Sequence, residues 1–314
     1  MTKRCPLTYL ETTSRYSLEG LKQLGIKDLA VFPYTAREQL QEAAQRANKM
    51  SIQGVQPKLS AILNRQQGQF ELVDQGGKYI IKPQHIIYPE LPQNEDLTMR
   101  LAKLCGIDTP WHGLIYAVDD SLSYVIKRFD RQGWGKLPVE DFAQLSGNNR
   151  DTKYDSSMEK IAKTIDEFCT FPLLEKSKLF RLTLFSFLIG NEDMHLKNFS
   201  VIVRDKKVEL SPAYDLLNTT IVLNKASEEL ALTLAGKKNN LTKELLLEYF
   251  PLEYLRLSKK QTTLMISSIV NVLPDWQKLI RNSFLSSELQ QQYLELLNSR
   301  CLRLGFKLSS FHKE

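Results

Sequence analysis

The chain has 314 residues, 42% of them hydrophobic and 25% charged, with a formal net charge of +6. This is the balance of a globular protein long enough for two lobes or domains of ordinary size. No apolar run approaches the ~20 residues of a membrane span, and so mild a positive charge suits an anionic ligand without implying nucleic acid.

The opening stretch MTKRCPLTYLETTSR is basic but lacks the apolar core of a leader peptide, so the expected location is cytoplasmic, with no membrane association. Residues 1–50 read as an N-terminal appendage rather than a domain. Ser17 or a neighbour caps a short helix that ends at Gly25, and residues 35–50, rich in Ala, Glu, Gln, Leu and Arg, predict a stronger one. MSIQGVQPKLSAIL follows, at Met50 to Leu63. Gly54 lets a backbone approach a ligand and its neighbours' amides point at an anion, with Lys58 as countercharge; a plain hairpin turn explains the stretch equally well. The Walker pattern GxxxxGK[ST] is absent.

Phe70–Val73 and Tyr79–Lys82 predict a hairpin around Asp74, Gln75, Gly76 and Gly77. Lys82 ends the apolar strand KYIIKP and must place its ammonium in solvent or on an anionic partner. A helix is expected after Pro92, capped by Asn94, opened by Glu95 and stopped near Gly106. Glu95 either favours the helix dipole or pairs with Lys82. Trp111–Val118 and Leu122–Ile126 read as strands, the second running into Lys127, Arg128 and Phe129. Residues 51–135 therefore form a strand-rich lobe, and Gln132–Pro138, with two glycines, reads as a hinge.

Residues 136–314 read as helical. Val139–Leu145, Ser156–Phe168 and Leu173–Ile189 are predicted helices, the last apolar nearly all round and so central to its lobe. It delivers the chain into Asn191-Glu192-Asp193-Met194-His195-Leu196-Lys197-Asn198. A short hairpin, Phe199–Val203 with Val208–Leu210, leads to Ser211-Pro212-Ala213-Tyr214-Asp215. Helices are expected at Thr242–Phe250, Ser258–Leu273, Pro274–Asn282 and Ser286–Leu304, the last stopped by Gly305. The four cysteines, Cys5, Cys105, Cys169 and Cys301, show no metal-ligand spacing and read as buried thiols.

Asp193 and Asn198 stand in the D-x-x-x-x-N spacing of a protein-kinase catalytic loop. There an aspartate orients the attacking hydroxyl and an asparagine turns back to hold Mg²⁺. Asp215 follows a hairpin as the second metal ligand of such a site does, and Lys197 is suitably charged for a γ-phosphate. The plainer reading of the pair is helix capping and turn formation. Asp193 and His195 also spell D-x-H, which can bind a metal. The order of parts (glycine turn, strand lysine, helix glutamate, hinge, D-x4-N, hairpin, aspartate) is that of a two-lobed phosphotransferase.

With these residues assembled, MSIQGVQPKLS, YIIKP, the Asn94–Glu95 helix start, VIKRFDR, FLIGNEDMHLKNFS and LSPAYDLLNT resemble the HipA-like serine/threonine kinases, toxins of bacterial toxin–antitoxin modules. The resemblance runs from about Met50 to the end of the chain. It implies an α+β, protein-kinase-like fold with a strand-rich N-lobe and a helical C-lobe, and ATP and Mg²⁺ as cofactors. By position, Asp193 resembles the catalytic base, and Asn198 and Asp215 the Mg²⁺ ligands. Lys82 resembles the α/β-phosphate lysine. Gln53, Gly54, Val55, Gln56, Pro57 and Lys58 resemble the segment over the ATP phosphates. Lys127, Arg128 and Phe129 resemble the adenine hinge, although the family carries a glutamate where Lys127 stands, so backbone groups are the ones expected to read adenine. His195, Lys197 and Tyr214 resemble further nucleotide contacts. Ser51 resembles a loop serine that family members autophosphorylate.

Fifty residues precede Ser51, which is similar to the short HipT-type arrangement. There a separate small HipS-like protein supplies an N-terminal subdomain and a HipB-like antitoxin binds DNA, so DNA is met only indirectly. An aminoacyl-tRNA synthetase or other translation protein is the substrate class the resemblance implies. A kinase-shaped co-repressor and a small-molecule kinase are the alternative readings.

Overall fold

The computed structural model describes residues 3–46, 56–133, 135–149, 151–223 and 228–307. The chain divides into two compact units. Unit 1 comprises residues 1–97, 110–128 and 282–285, and unit 2 comprises 98–109, 129–281 and 286–314.

Unit 1 begins with two short strands, β1 (Lys3–Arg4) and β2 (Glu11–Thr12), and two helices, α1 (Leu18–Leu24) and α2 (Ala36–Arg46). Ser17 caps α1 by accepting from the Gly20 amide, and Gly25 ends it in the left-handed conformation at φ 70°, as its residue pattern predicts. Then come β3 (Leu59–Asn64), β4 (Gln69–Leu72), β5 (Tyr79–Lys82), α3 (Leu91–Leu104), β6 (His112–Tyr116) and β7 (Leu122–Lys127). The five strands form an antiparallel sheet in the order β4-β3-β5-β7-β6. Leu59 and Ala61 on β3, Ile81 on β5 and Val125 on β7 share one core with Cys5, Leu7, Tyr16, Leu21, Leu24 and Phe32. The described part of the expected N-terminal appendage thus supplies much of the apolar filling for the sheet.

Two local expectations fail here. Phe70–Val73 and Tyr79–Lys82 are not a hairpin: β4 and β5 lie on opposite sides of β3. The glycine turn is real, with Gly76 at φ 73°, but a turn reports that the chain reverses, not which strand it then joins. Nor is Asn94 a cap. The helix α3 starts at Leu91, with Pro92 in its first turn, where its missing N–H has no intrahelical partner to lose, and Asn94 is buried within it. The first half of α3 belongs to unit 1 and its second half to unit 2.

Unit 2 continues with β8 (Arg131–Gln132) and β9 (Gly135–Lys136), which pair as a small hairpin at the start of the stretch expected as a hinge. Next are β10 (Val139–Asp141), α4 (Phe142–Leu145), α5 (Met158–Phe168) and α6 (Pro172–Ile189). A 3-10 turn at Leu196–Asn198 precedes β11 (Ser200–Arg204), β12 (Lys207–Leu210) and α7 (Thr219–Leu223). A π-helical turn at Leu245–Tyr254 then leads to α8 (Lys259–Arg281) and α9 (Ser287–Leu304). Val139–Leu145, expected as a helix, opens as a strand because Val139, Glu140 and Asp141 pair with Ile202, Val201 and Ser200. The expected break at Pro274 does not occur. One helix runs through it, held by Leu273 and Trp276, both buried on either side of the lost hydrogen bond.

The centre of unit 2 is α6. Leu179, Phe180, Leu184, Phe185, Phe187, Leu188 and Ile189 are all buried, and Phe185 meets Trp276 edge-on at 5.3 Å. Gly190 stops it at φ 72°. The Gly190 carbonyl accepts from the amides of Thr219 and Thr220 at 3.0 and 3.2 Å. A Cβ there would lie 2.4 Å from Leu296 Cδ2 and 2.6 Å from Thr220 Oγ1. Gly190→Ala is therefore expected to lose about 2–4 kcal/mol, from the left-handed backbone and from overpacking. Gly76→Ala, with the same sign of φ and nothing within 4 Å of its Cβ, is expected to lose about 1 kcal/mol. Urea melts of the two variants check the difference; equal losses would mean that packing at Gly190 contributes nothing.

All four cysteines are buried and free. Burial pushes the thiols of Cys105, Cys169 and Cys301 up to about 12. Among the described residues no helix is long and apolar enough to cross a membrane.

Candidate active site

In unit 1 the sheet and α3 bring two acid–base pairs together. Lys82 ends β5, and its Nζ lies 2.6 and 2.8 Å from the two carboxylate oxygens of Glu95. The side chains are 6% and 1% exposed, so this is a fully buried ion pair. It forms because Lys82 sits in a central strand, opposite Tyr124, and cannot reach solvent along the sheet edge. One residue on, Asp96 accepts from His112 Nδ1 at 2.8 Å, also buried. Consecutive positions of one helix thus carry two buried carboxylates, each with a cationic or imidazole partner. Of the two readings open for Glu95, the structure selects the pair with Lys82. The Asp96–His112 pair carried no signal in the sequence, because its partners belong to separate elements and match no motif.

Lys127 is exposed at the end of β7 and Arg128 is half-buried. The Lys127 amide donates to Trp111 O at 2.8 Å and the Arg128 amide to Lys78 O at 2.9 Å. Gln56, Pro57 and Lys58 are half-buried ahead of β3. Ser51, Gln53, Gly54 and Val55 lie outside the described residues.

In unit 2 the catalytic-loop candidates follow directly on Gly190. The helix is capped by that glycine, so Asp193 and Asn198 are not its caps. The loop is braced from within. The Asn191 side chain, fully buried, accepts from the Asp193 amide at 3.2 Å. Glu192 Oε1 accepts from Thr220 Oγ1 at 2.5 Å, and the Glu192 amide donates to Thr219 Oγ1 at 2.7 Å. Asn198 Nδ2 turns back to the Asp193 carbonyl at 3.0 Å, leaving its Oδ1 to act as an acceptor or metal ligand. The Asp193 side chain is 51% exposed. Its Oδ1 accepts from the Tyr154 hydroxyl.

His195 is buried, and Lys153 Nζ lies 2.8 Å from its Nε2. Burial lowers its pKa first of all; Asp193 opposes this and Lys153 adds to it, which keeps the imidazole neutral. Its Nε2 is therefore an acceptor taken up by Lys153, and it stands 4.0 Å from Asp193 Oδ1. Among the described residues the D-x-H pair belongs to no group of three or more possible metal ligands, and its imidazole nitrogen is engaged by Lys153. Lys197 is half-buried. The Tyr214 hydroxyl is engaged by Ser200 Oγ at 2.6 Å and the Lys197 carbonyl at 2.8 Å, and its ring lies 5.6 Å from that of Phe129. Burial raises the Tyr214 pKa.

Asp215 adopts φ 58°, the left-handed region. Aspartate tolerates it better than most residues, but a non-glycine residue held there marks a position that its surroundings over-determine. Asn198 and Asp215 offer an amide oxygen and a carboxylate, the donors Mg²⁺ takes. Among the described residues no group of three or more His, Cys, Asp or Glu side chains could hold an ion by itself. A metal here would complete its shell from phosphate oxygens and water, as Mg²⁺ does readily.

The fold is a protein-kinase-like one. It is shared with HipA in a HipA–HipB toxin–antitoxin complex with operator DNA from Shewanella oneidensis MR-1, with a TM-score of 0.66 and 22% identity over 90% of this chain and 74% of that one. It is shared also with the proinflammatory kinase CtkA of Helicobacter pylori, with a TM-score of 0.55 and 17% identity over 82% and 91%. The model of the HipA-like C-terminal domain matches residues 50–276, and the chain belongs to that family. A Haemophilus influenzae protein named provisionally as a kinase is 35% identical over 233 residues, 68% of this chain and 66% of that protein. The chain spans between 43% and 66% of the length of four curated relatives.

Proposed function

We propose that the chain is an ATP- and Mg²⁺-dependent serine/threonine protein kinase. The observation that carries this reading is the buried Lys82–Glu95 pair, with both carboxylate oxygens within 2.8 Å of the ammonium. Phosphotransferases of this fold need such a strand-lysine and helix-glutamate pair in place. A protein that only binds partners gains little from burying two charges, since apolar residues of similar volume cost less.

In this reading Lys82 holds the α- and β-phosphates, and Gln53 to Lys58 are further phosphate contacts. Backbone groups at Lys127 to Phe129 receive adenine, and His195, Lys197 and Tyr214 are further nucleotide contacts. Asn198 and Asp215 hold Mg²⁺, which when bound neutralises charge on the phosphate oxygens. Asp193 orients the acceptor hydroxyl. The acceptor oxygen bonds to the γ-phosphorus as the β–γ bridging bond breaks; ADP departs and the hydroxyl proton passes to Asp193.

By kinship with HipA we further propose that the chain is the toxin of a bacterial module and acts in the cytoplasm. Its partners in that reading are a HipB-like antitoxin and a small HipS-like protein. Its substrate is an aminoacyl-tRNA synthetase or another translation protein, and Ser51 is its autophosphorylation site.

The test is transfer from γ-labelled ATP in a bacterial lysate, with and without EDTA, followed by phosphosite mapping. Label on protein serine or threonine, lost with EDTA, is the expected result. Label in soluble metabolites would make it a small-molecule kinase. Failure to bind Mg-ATP at millimolar concentration would make it a kinase-shaped binding protein.

A further inference from the structure

The segment between α4 and α5 runs beside the catalytic-loop candidates, and nothing so far gives it a role. It is held as a strap. Asn149 accepts from the amides of Asp151 and Thr152 at 2.8 and 3.1 Å, and Ser157 caps α5. At its middle, Lys153 and Tyr154 engage the loop with consecutive residues. The Lys153 carbonyl accepts from the Leu196 amide at 3.2 Å, and its ammonium meets His195 Nε2. The Tyr154 ring stands edge-on to His195 at 5.0 Å, with Lys153 and Lys238 at 4.8 and 5.8 Å from its centre. Its hydroxyl donates to Asp193.

That last bond has a specific chemical form. A carboxylate only accepts, so the phenol is the donor. A hydroxyl donating to the base is also what an acceptor serine or threonine must present before transfer. Among the described residues Tyr154 is the sole hydroxyl bonded to the Asp193 carboxylate. Burial, and then the bond to Asp193, raise the tyrosine's pKa, so it keeps its proton and remains a donor rather than a nucleophile. The residue is 36% exposed and its ring packs against His195, Lys153 and Lys238, so displacing it opens no apolar core.

We propose that Tyr154 occupies the acceptor-hydroxyl position on Asp193, so that a protein acceptor reaches the base only by displacing it. The inference rests on Asp193 being the base.

The experiment uses the full chain with Tyr154→Phe, which keeps the ring and its packing. Two rates are measured, Mg-ATP hydrolysis with water as acceptor and phosphate transfer to casein. Removing one charge-assisted hydrogen bond is expected to raise both roughly tenfold, with a melting temperature lowered by no more than about a few degrees. Unchanged or lower rates overturn the proposal, a fall meaning that Tyr154 positions the base. Phosphate mapped on Tyr154 in the wild type also overturns it, since the phenol would then be an acceptor itself. Asp193→Asn separates the two levels. If it retains transfer, the base assignment fails and this proposal with it; if it abolishes transfer while Tyr154→Phe changes nothing, the occupancy of Asp193 alone is refuted.

Discussion

Asp193→Gln is expected to lower phosphate transfer by about 10²–10⁴-fold, the usual contribution of a positioned acid–base group, without destabilising the chain. The two halves of that expectation have separate physical grounds. The Asp193 side chain is half in solvent, so an amide there buries no charge and opens no cavity. The loop's scaffold uses the Asp193 backbone rather than its carboxylate: its amide donates to Asn191 and its carbonyl accepts from Asn198. The rate of labelling and a urea melt on the same preparation check both halves. Full labelling by a stably folded variant would remove Asp193 from the mechanism.

Lys82→Met has the opposite profile and the largest expected effect on stability. It leaves Glu95, 1% exposed, without the ammonium that both its oxygens contact. Breaking a buried pair from one side costs about 3–5 kcal/mol, a large share of the stability of an ordinary domain. Transfer is expected to vanish as well, but loss of fold alone would produce that. The double variant Lys82→Met/Glu95→Gln separates the causes. With no charge left to bury, it is expected to regain most of the stability and to remain inactive. Recovery of activity in the double variant would show that the pair is architectural and that the phosphates are held elsewhere.

What could be read from residues alone, and what could not, divides by the range of the interactions involved. Ser17 and Gly25 around α1, and Ser286 and Gly305 around α9, mark helix ends through bonds a few residues long. The identity of α6 as the central helix follows from apolar side chains on every face. Asp193 and Asn198 stand out because they keep the D-x-x-x-x-N spacing of a kinase catalytic loop. Several of the failures involve partners distant in sequence, whereas the start of α3 at Leu91 and the helix that continues through Pro274 are local ones. Val139 to Asp141 form a strand because of residues some sixty positions later, and β3 inserts between β4 and β5 although a glycine turn joins them directly. In the site itself the same rule holds. For Glu95 the strand lysine ahead of it makes the pair one of two open readings, while Asp96 with His112, Thr219 and Thr220 at the loop, and Tyr154 on Asp193 have no local pattern to mark them.

The left-handed backbone at Asp215 bears on how an inactive form of this chain should be made. Alanine at that position would change two things at once, removing the carboxylate and placing a residue with no polar side chain in a conformation that costs it about 1 kcal/mol. The loss of activity would then be confounded with relaxation of the segment between β12 and α7. Asparagine adopts the same φ as readily as aspartate, so it cancels the charge and keeps the path of the chain. With Asp215 as the proposed Mg²⁺ ligand, Asp215→Asn is expected to give an inactive form that presents partners with the surface of the active protein, which is what a binding experiment on an inactive form requires.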